Sequence, residues 1–151
     1  MPTENVINTG VLVIGGGMAG CFAAIKAKEK GVDVTIVDKG YIGKSGATHI
    51  SEGGFIIFNP EWGHNLDAWV NQISKRSEYV NNREWGEIVL NNSYQRYQDL
   101  ASWGVEFNLE PDRLAATTNP DLQVFSMPHG EYAPLLRKKA QERESGFLTE
   151  L

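Results

Sequence analysis

Closely spaced glycines between residues 15 and 20 form a pattern that could hold a phosphate chain. The segment reads Gly15-Gly16-Gly17-Met18-Ala19-Gly20 and satisfies Gly-x-Gly-x-x-Gly at its first, third and sixth positions. The first glycine makes a tight turn, the second lets a diphosphate approach the backbone, and the third lets a helix and a strand pack closely. These six residues are therefore predicted to bind a dinucleotide, with the phosphates facing the free N–H groups that open a helix.

A carboxylate further along the chain could complete this nucleotide site. Asp38 lies 18 positions after Gly20, where an acidic residue can accept hydrogen bonds from ribose hydroxyls. A carboxylate there repels a 2′-phosphate, which disfavours NADP and leaves NAD and FAD open. The alternative interpretation is that the glycines only shape a turn and that Asp38 is a solvated turn residue.

The elements that must position these residues fit a βαβ unit. Residues 10–15 are a short apolar run closed by glycine, which predicts a strand buried on both faces of a parallel sheet. Apolar residues at helical spacing predict a helix from about Met18 to Lys30, ended by Gly31. The β-branched residues 32–38 predict the second strand. The order of strand, turn, helix and strand favours nucleotide binding over a purely structural turn.

Beyond residue 38, the glycine content and the apolar periodicity of the chain change from segment to segment. Residues 39–60 are rich in glycine and nearly without periodicity, which predicts a long loop that approaches a ligand closely. Helices are predicted around residues 66–73 and from about residue 85 to Trp103-Gly104. Residues 105–130 carry three prolines and predict short strands and turns. A last helix is predicted over about residues 134–144, with Pro134 in its first turn and Gly146 beyond its end.

We therefore expect an α/β fold, with a Rossmann-like βαβ unit and additional helices. Residues 1–60 would form the dinucleotide-binding unit and its glycine-rich loop. Residues 61–151 would form a helical segment, the start of a substrate or capping region, and a return helix.

Composition narrows the classes of function. The chain has 151 residues, 41% of them hydrophobic, and a formal net charge of −5, which argues against nucleic acid as a partner. The single cysteine, Cys21, excludes an internal disulfide and a cysteine-based metal cluster, and fits a reducing compartment. No signal peptide or membrane span is apparent in the sequence. We therefore expect a cytoplasmic protein.

Other reactive residue types are interpreted as structural. The three histidines stand singly at positions 49, 64 and 129, so no metal site is predicted. The four tryptophans recur near helical faces and are predicted to pack in cores. Cys21 lies in the first turn of the predicted helix, where the helix dipole could lower its pKa. We favour the alternative that it is a buried small hydrophobic residue.

Four segments occur in a characteristic order: residues 11–20 (VLVIGGGMAG), 34–39 (VTIVDK), 44–48 (KSGAT) and 51–54 (SEGG). In this order they resemble the flavoprotein family of succinate dehydrogenase and fumarate reductase, which also includes aspartate oxidase and adenylylsulfate reductase α. Looser matches over residues 62–107 and 130–134 look most like the adenylylsulfate reductase α branch. The resemblance implies an oxidoreductase with FAD as its cofactor.

The resemblance also implies roles for individual residues. Lys39 would lie beside the adenosine end of FAD. Five loop residues would contact the diphosphate, the ribityl chain or the flavin ring: Ser45, Gly46, Ala47, Gly53 and Gly54. Members that bond flavin covalently carry a histidine six positions before the Gly-Gly pair, and Ala47 occupies that position here. His49 is displaced by two residues, so FAD is expected to bind non-covalently. Glu52 stands where the family usually has glutamine.

The resemblance covers nearly all of this chain but only the N-terminal part of the family. We therefore expect a truncated or partial flavin-binding subunit, to which no catalytic residue can be transferred. The relatives imply a small-molecule substrate and an iron–sulfur protein as partner. Apolar sheet surface left without a covering layer would favour self-association. The open alternatives are an NAD-binding module and a non-catalytic nucleotide-binding or assembly module.

Overall fold

The computed structural model describes residues 6–44, 46–51, 54–109, 124–126 and 132–141. The chain divides into two compact units, and each is described by itself. The first unit comprises residues 1–51 and 130–151, and the second comprises residues 52–129.

A parallel βαβ arrangement organises the first unit. Strand β1 (Val11–Ile14) pairs with β2 (Val34–Val37) in parallel, with Val11 opposite Val34 and Ile14 opposite Val37. Helix α1 (Met18–Glu29) connects the two strands. It ends where the Gly31 N–H donates to the Lys28 carbonyl, and Gly31 has a φ of +77°, as expected of a glycine that terminates a helix. The predicted βαβ unit is confirmed.

The burial of β1 differs from the prediction. Leu12 and Ile14 are 55% and 83% exposed, whereas Val11 and Val13 are half-buried. Successive side chains of a strand point to opposite faces, and in the described part of this unit only one face of β1 is covered. The prediction that this strand is buried on both faces was wrong for β1, although three of the four residues of β2 are buried.

A helix from the far end of the chain also belongs to the first unit. Helix α5 (Tyr132–Gln141) packs against α1, and Ala133, Leu136 and Ala140 are buried at helical spacing. Pro134 lies in its first turn as predicted. The predicted C-terminal end at residue 144 and the terminating Gly146 lie outside the described residues.

The second unit combines two helices with a short antiparallel strand pair. Strand β3 (Gly54–Ile56) pairs with β4 (Val124–Ser126), and a 3₁₀ turn spans Pro60–Trp62. Helices α3 (Leu66–Arg76) and α4 (Arg83–Ser102) pack on each other. Both begin at an asparagine whose side-chain oxygen accepts an N–H of the first turn, namely Asn65 for α3 and Asn82 for α4. The core contains Phe58, Trp69, Val70 and Leu90.

Two further predictions from the sequence need correction. Residues 39–60 were predicted to be one loop, but this region contains the short helix α2 (Ala47–Ile50) and strand β3. Elements of three or four residues are shorter than the window over which periodicity can be recognised. Trp85 was predicted to pack in a core, but it is 66% exposed on α4. None of the helices in the described residues is both long and apolar enough to cross a membrane.

Candidate cofactor-binding site

The glycine turn joins β1 to α1 in the geometry that the sequence predicts. Gly15 has a φ of +103°, in the left-handed region that favours glycine, and its N–H donates to the Val37 carbonyl at 2.7 Å. Gly17 is the extended residue that precedes the helix. The chain therefore reverses direction within three residues, and α1 begins at the carboxyl end of β1.

Close packing explains the third glycine of the motif. A Cβ atom added at Gly20 would lie 1.8 Å from the Gly15 carbonyl oxygen and 3.3 Å from Cγ1 of Val13. The backbone of α1 therefore lies directly against the turn, and any side chain at position 20 would force the two apart. This contact confirms the predicted packing role of Gly20.

The first turn of α1 offers N–H groups to a ligand. Gly17 provides no side-chain cap, and the first turn contains no acidic residue. The Met18 N–H donates to Oγ1 of Thr48 at 3.1 Å. Within the described residues, the Ala19 and Gly20 amides have no hydrogen-bond acceptor. The Ala19 and Gly20 amides, at the positive end of the helix dipole, are therefore placed to donate to an anion.

Asp38 is bonded to the turn itself. One carboxylate oxygen accepts the Gly16 N–H, and the other accepts the Gly40 N–H at 2.8 Å. Each oxygen has a second lone pair, so the carboxylate can also accept a hydrogen bond from a ligand hydroxyl. Sequence reasoning located Asp38 but did not foresee that it orients the glycine turn.

Three further contacts fix the position of Gly16. Its carbonyl accepts the Gly43 N–H at 3.2 Å and the Cys21 thiol at 3.5 Å. A Cβ added at Gly16 would lie 2.7 Å from Cγ1 of Ile42. The middle of the turn is therefore fixed by α1, by Asp38 and by the segment after β2, and little reorganisation is needed to receive a ligand.

Cys21 is a buried structural residue rather than an activated thiol. Its side chain is 1% exposed. Burial, and to a smaller extent the negative charge of Asp38, raises its pKa from 9.0 to about 11. Removal from water thus outweighs the effect of the helix N-terminus, and the interpretation as a small buried hydrophobic residue holds.

A groove opens at the carboxyl ends of β1 and β2. It has a volume of about 430 Å³ and is lined by five residues: Ile14, Gly15, Val37, Asp38 and Lys39. Ligands of open α/β sheets bind outside the carboxyl ends of the strands, and this volume lies in the range of small-molecule sites. The structure thus brings Asp38 and Lys39 together with the first glycine of the turn.

The structure describes only some of the remaining site residues that the sequence predicts. Gly46 precedes α2 with a φ of +77°, and Ala47 is the first residue of α2. Gly54 begins β3 and belongs to the second unit. Ser45 and Gly53 lie outside the described residues, as does Glu52.

Sequence reasoning missed Thr48 and Ile42, which contact the turn. Thr48 was part of a segment matched to the family, so its hydroxyl could have been considered as an acceptor. No sequence signal singled out Ile42.

The two histidines that the structure describes, His49 and His64, do not form part of a metal-binding cluster. His64 is buried in the second unit and stacks on Trp69, with ring centroids 4.5 Å apart. His49 lies in α2, and His129 lies outside the described residues. Across the described ranges, no group of three or more His, Cys, Asp or Glu side chains could hold a metal ion.

Comparison with known proteins identifies relatives of this arrangement. Residues 10–135 match the family model described as FAD binding domain. The chain is 30% identical to L-aspartate oxidase of Pyrococcus abyssi over 144 residues, which are 95% of this chain and 30% of that protein. It is 32% identical over 108 residues to one component of the CoM/CoB fumarate reductase of Methanothermobacter marburgensis, covering 69% of this chain and 19% of that protein.

A solved structure shares the fold. The open conformation of a flavocytochrome c3 fumarate reductase superposes with a TM-score of 0.70 at 24% identity. The match covers 93% of this chain and 26% of that one. The chain spans only between 19% and 30% of the length of the curated relatives that it matches.

Proposed function

The chain belongs to the FAD-binding domain family, and from that premise we propose that it is the nucleotide-binding part of a FAD-dependent oxidoreductase of the fumarate reductase and succinate dehydrogenase type. The observation that carries this proposal is the position of the start of α1, where Gly17 provides no side-chain cap, beside the groove that contains Asp38. The start of α1 can receive a diphosphate, and the groove beside Asp38 can receive a ribose.

The residues of the first unit fit the ADP half of FAD. The diphosphate would lie against the amides of the turn and of the first helical residues, which are Gly15, Gly16, Gly17, Met18, Ala19 and Gly20. Asp38 would accept hydrogen bonds from the ribose hydroxyls, and Lys39 would lie at the adenosine end of the groove. Support comes from the close contact at Gly20, which fixes the start of the helix at the turn.

The flavin half would be held by the loop that follows β2. We propose Ser45, Gly46, Ala47, Gly53 and Gly54 as its contacts, by resemblance to the family. Because Ala47 lacks a nucleophilic side chain, FAD would bind non-covalently.

When bound, FAD would exchange a hydride with the substrate, as donor or as acceptor according to the direction of the reaction. The residues of this chain would hold the nucleotide and fix its orientation. A small organic substrate is consistent with the L-aspartate oxidase and fumarate reductase among the relatives. The fumarate reductase relative is named as one component of its enzyme, which supports assembly with a second protein, and we propose an iron–sulfur protein as that partner.

Titration of the purified chain with FAD, ADP and NAD, followed by thermal unfolding, tests the nucleotide assignment. We expect all three nucleotides to raise the unfolding temperature through the ADP part that they share, and FAD to raise it more than NAD does, because only FAD also meets the proposed flavin loop. FAD should bind weakly, because the groove accommodates only part of the dinucleotide. Stronger protection by NAD would indicate an NAD-binding module, and no protection by any nucleotide would favour an assembly module without cofactor.

Replacing Asp38 tests the ribose contact. Asp38→Asn removes the negative charge and one of the two acceptors for the Gly16 and Gly40 amides. We expect ADP affinity to fall by about 10- to 100-fold, corresponding to the loss of a charged hydrogen bond. Asp33→Asn is a matched control, because the Asp33 side chain is 84% exposed and does not line the groove. Equal affinities for the two variants would contradict the assignment.

A further inference from the structure

We propose that Gly43 is a positioning residue for the nucleotide: it connects helix α5 to the Gly16 carbonyl and so sets the direction in which the Gly17 N–H points. This inference rests on the proposed function, because it concerns the turn that would receive the diphosphate. It assigns a role in nucleotide binding to Gly43 and, through it, to α5, neither of which lines the groove beside Asp38.

The peptide between Gly16 and Gly17 carries the effect of Gly43 to the ligand side of the turn. Its carbonyl accepts the Gly43 N–H at 3.2 Å and the Cys21 thiol at 3.5 Å. No described peptide bond is cis, and the C=O and N–H of a planar trans peptide point in opposite directions. The Gly17 N–H therefore points away from Gly43, at the residue that directly precedes α1, where a diphosphate would approach.

Helix α5 packs directly against Gly43. A Cβ atom added at Gly43 would lie 2.5 Å from the Ala133 carbonyl oxygen and 3.2 Å from Cβ of Arg137. Ala133 lies in the first turn of α5 and is 1% exposed. Because the backbone of Gly43 touches the helix, a side chain at this position would force Gly43 away from α5.

Ile42 leaves the segment little freedom to adjust on the side of the turn. It is 1% exposed, and its Cγ1 would lie 2.7 Å from a Cβ atom added at Gly16. Close-packed groups transmit a displacement to their neighbours. A shift of Gly43 away from α5 therefore disturbs its hydrogen bond to the Gly16 carbonyl, and the Gly17 N–H turns with the same peptide.

Gly31 provides a matched control for a substitution at Gly43. The two glycines have φ values of +77° and +72°, so alanine at either position is strained by the left-handed backbone. A Cβ atom added at Gly31 has no neighbour within 4 Å, and Gly31 lies just beyond the opposite end of α1 from the turn. Alanine at these two positions therefore separates the contact with α5 from the backbone strain.

The first test compares the ADP affinities of Gly43→Ala and Gly31→Ala by isothermal titration, under conditions in which both variants are folded. We expect Gly43→Ala to bind ADP about 10- to 100-fold more weakly, as for the loss of a hydrogen bond to a charged group. Gly31→Ala should bind ADP within about twofold of the unmodified chain, because distant sites act independently. Equal ADP affinities of the two variants would overturn the proposal.

Hydrogen exchange in the unmodified chain provides a second test that requires no substitution. A ligand that binds the Gly17 N–H fixes the peptide whose carbonyl accepts the Gly43 N–H, so ADP should slow exchange of the Gly43 amide. The Gly31 amide donates to the Lys28 carbonyl at 2.9 Å and reports the general stabilisation of the first unit. We expect ADP to slow exchange more at Gly43 than at Gly31. Equal slowing at both amides would overturn the positioning role, even where Gly43→Ala does not fold.

Titration of the unmodified chain with ADP distinguishes failure of this inference from failure of the proposed function. If ADP does not bind the unmodified chain, the nucleotide assignment fails and the positioning role fails with it. If ADP binds, but either the affinities or the exchange rates respond equally at Gly43 and Gly31, only the positioning role is wrong.

Discussion

At the level of single residues, the side chains around the turn hold the backbone as well as offering groups to a ligand. Asp38 accepts two backbone amides, and the Cys21 thiol and the Gly43 amide both donate to the Gly16 carbonyl. The turn is therefore organised before a ligand arrives. Preorganisation of this kind lowers the entropic cost of binding.

The raised pKa of Cys21 gives a prediction about its reactivity. Because the thiolate is the reactive form, a pKa of about 11 instead of 9.0 should slow modification by a disulfide reagent at pH 8. We expect a rate about 100-fold lower in the folded chain than in the chain unfolded in urea. A folded-state rate equal to the unfolded rate would show that the thiol is not buried as the structure describes.

The same shift implies a pH dependence of stability. The folded pKa lies above the unfolded value, so the stabilising contribution of the protonated thiol is complete below about pH 9. It is lost as the pH rises from about 9 to 11. Cys21→Ala should flatten the dependence of the unfolding free energy on pH across this interval, as measured by urea titration.

At the level of elements, the contact between α1 and the glycine turn depends on position 20. Gly20→Ala places a Cβ atom 1.8 Å from the Gly15 carbonyl oxygen, so the helix must move off the turn. We expect a loss of about 3 kcal/mol or more in unfolding free energy and loss of ADP binding. Both are measurable by urea unfolding with and without ADP.

Gly86 in α4 provides a control for this substitution. A Cβ added there has no neighbour within 4 Å, and the residue lies inside a helix. Gly86→Ala should therefore stabilise the chain by about 1 kcal/mol, because alanine favours helix formation over glycine. If both substitutions destabilised the chain equally, the packing explanation for Gly20 would be wrong.

The sequence predicts elements best where local patterns suffice. The strand, turn and helix around residues 11–29 follow from glycine spacing and apolar periodicity, and the structure contains them with nearly the same bounds. Thr48 could not be assigned to the turn, because its contact with Met18 spans 30 residues. The two hydrogen bonds that the Asp38 carboxylate accepts also could not be predicted, because they depend on how the segment after β2 folds back.

At the level of the whole molecule, the exposed face of β1 is the feature that composition could not predict. The apolar run over residues 10–15 is compatible with burial on one face or on both. Whether one face or both faces of β1 are buried depends on which elements cover the sheet. In the described part of the first unit, Leu12 remains 55% exposed.

This exposed face predicts association of the isolated chain. Leu12→Thr places a polar residue with good strand propensity on the exposed face, and we expect it to reduce concentration-dependent self-association in sedimentation velocity. Leu12→Ile keeps the face apolar and should associate as the unmodified chain does. Association unaffected by Leu12→Thr would show that another surface is responsible.

The packing of α5 on α1 has a consequence for the order in which the chain folds during synthesis. The first unit takes its helices from residues 18–29 and 132–141, so a nascent polypeptide cannot complete it until the second segment has left the ribosome. Helices α3 and α4 are joined by a short connection and can pair earlier, because nearby contacts close small loops. Until translation reaches α5, the buried face of α1 is open to chaperones.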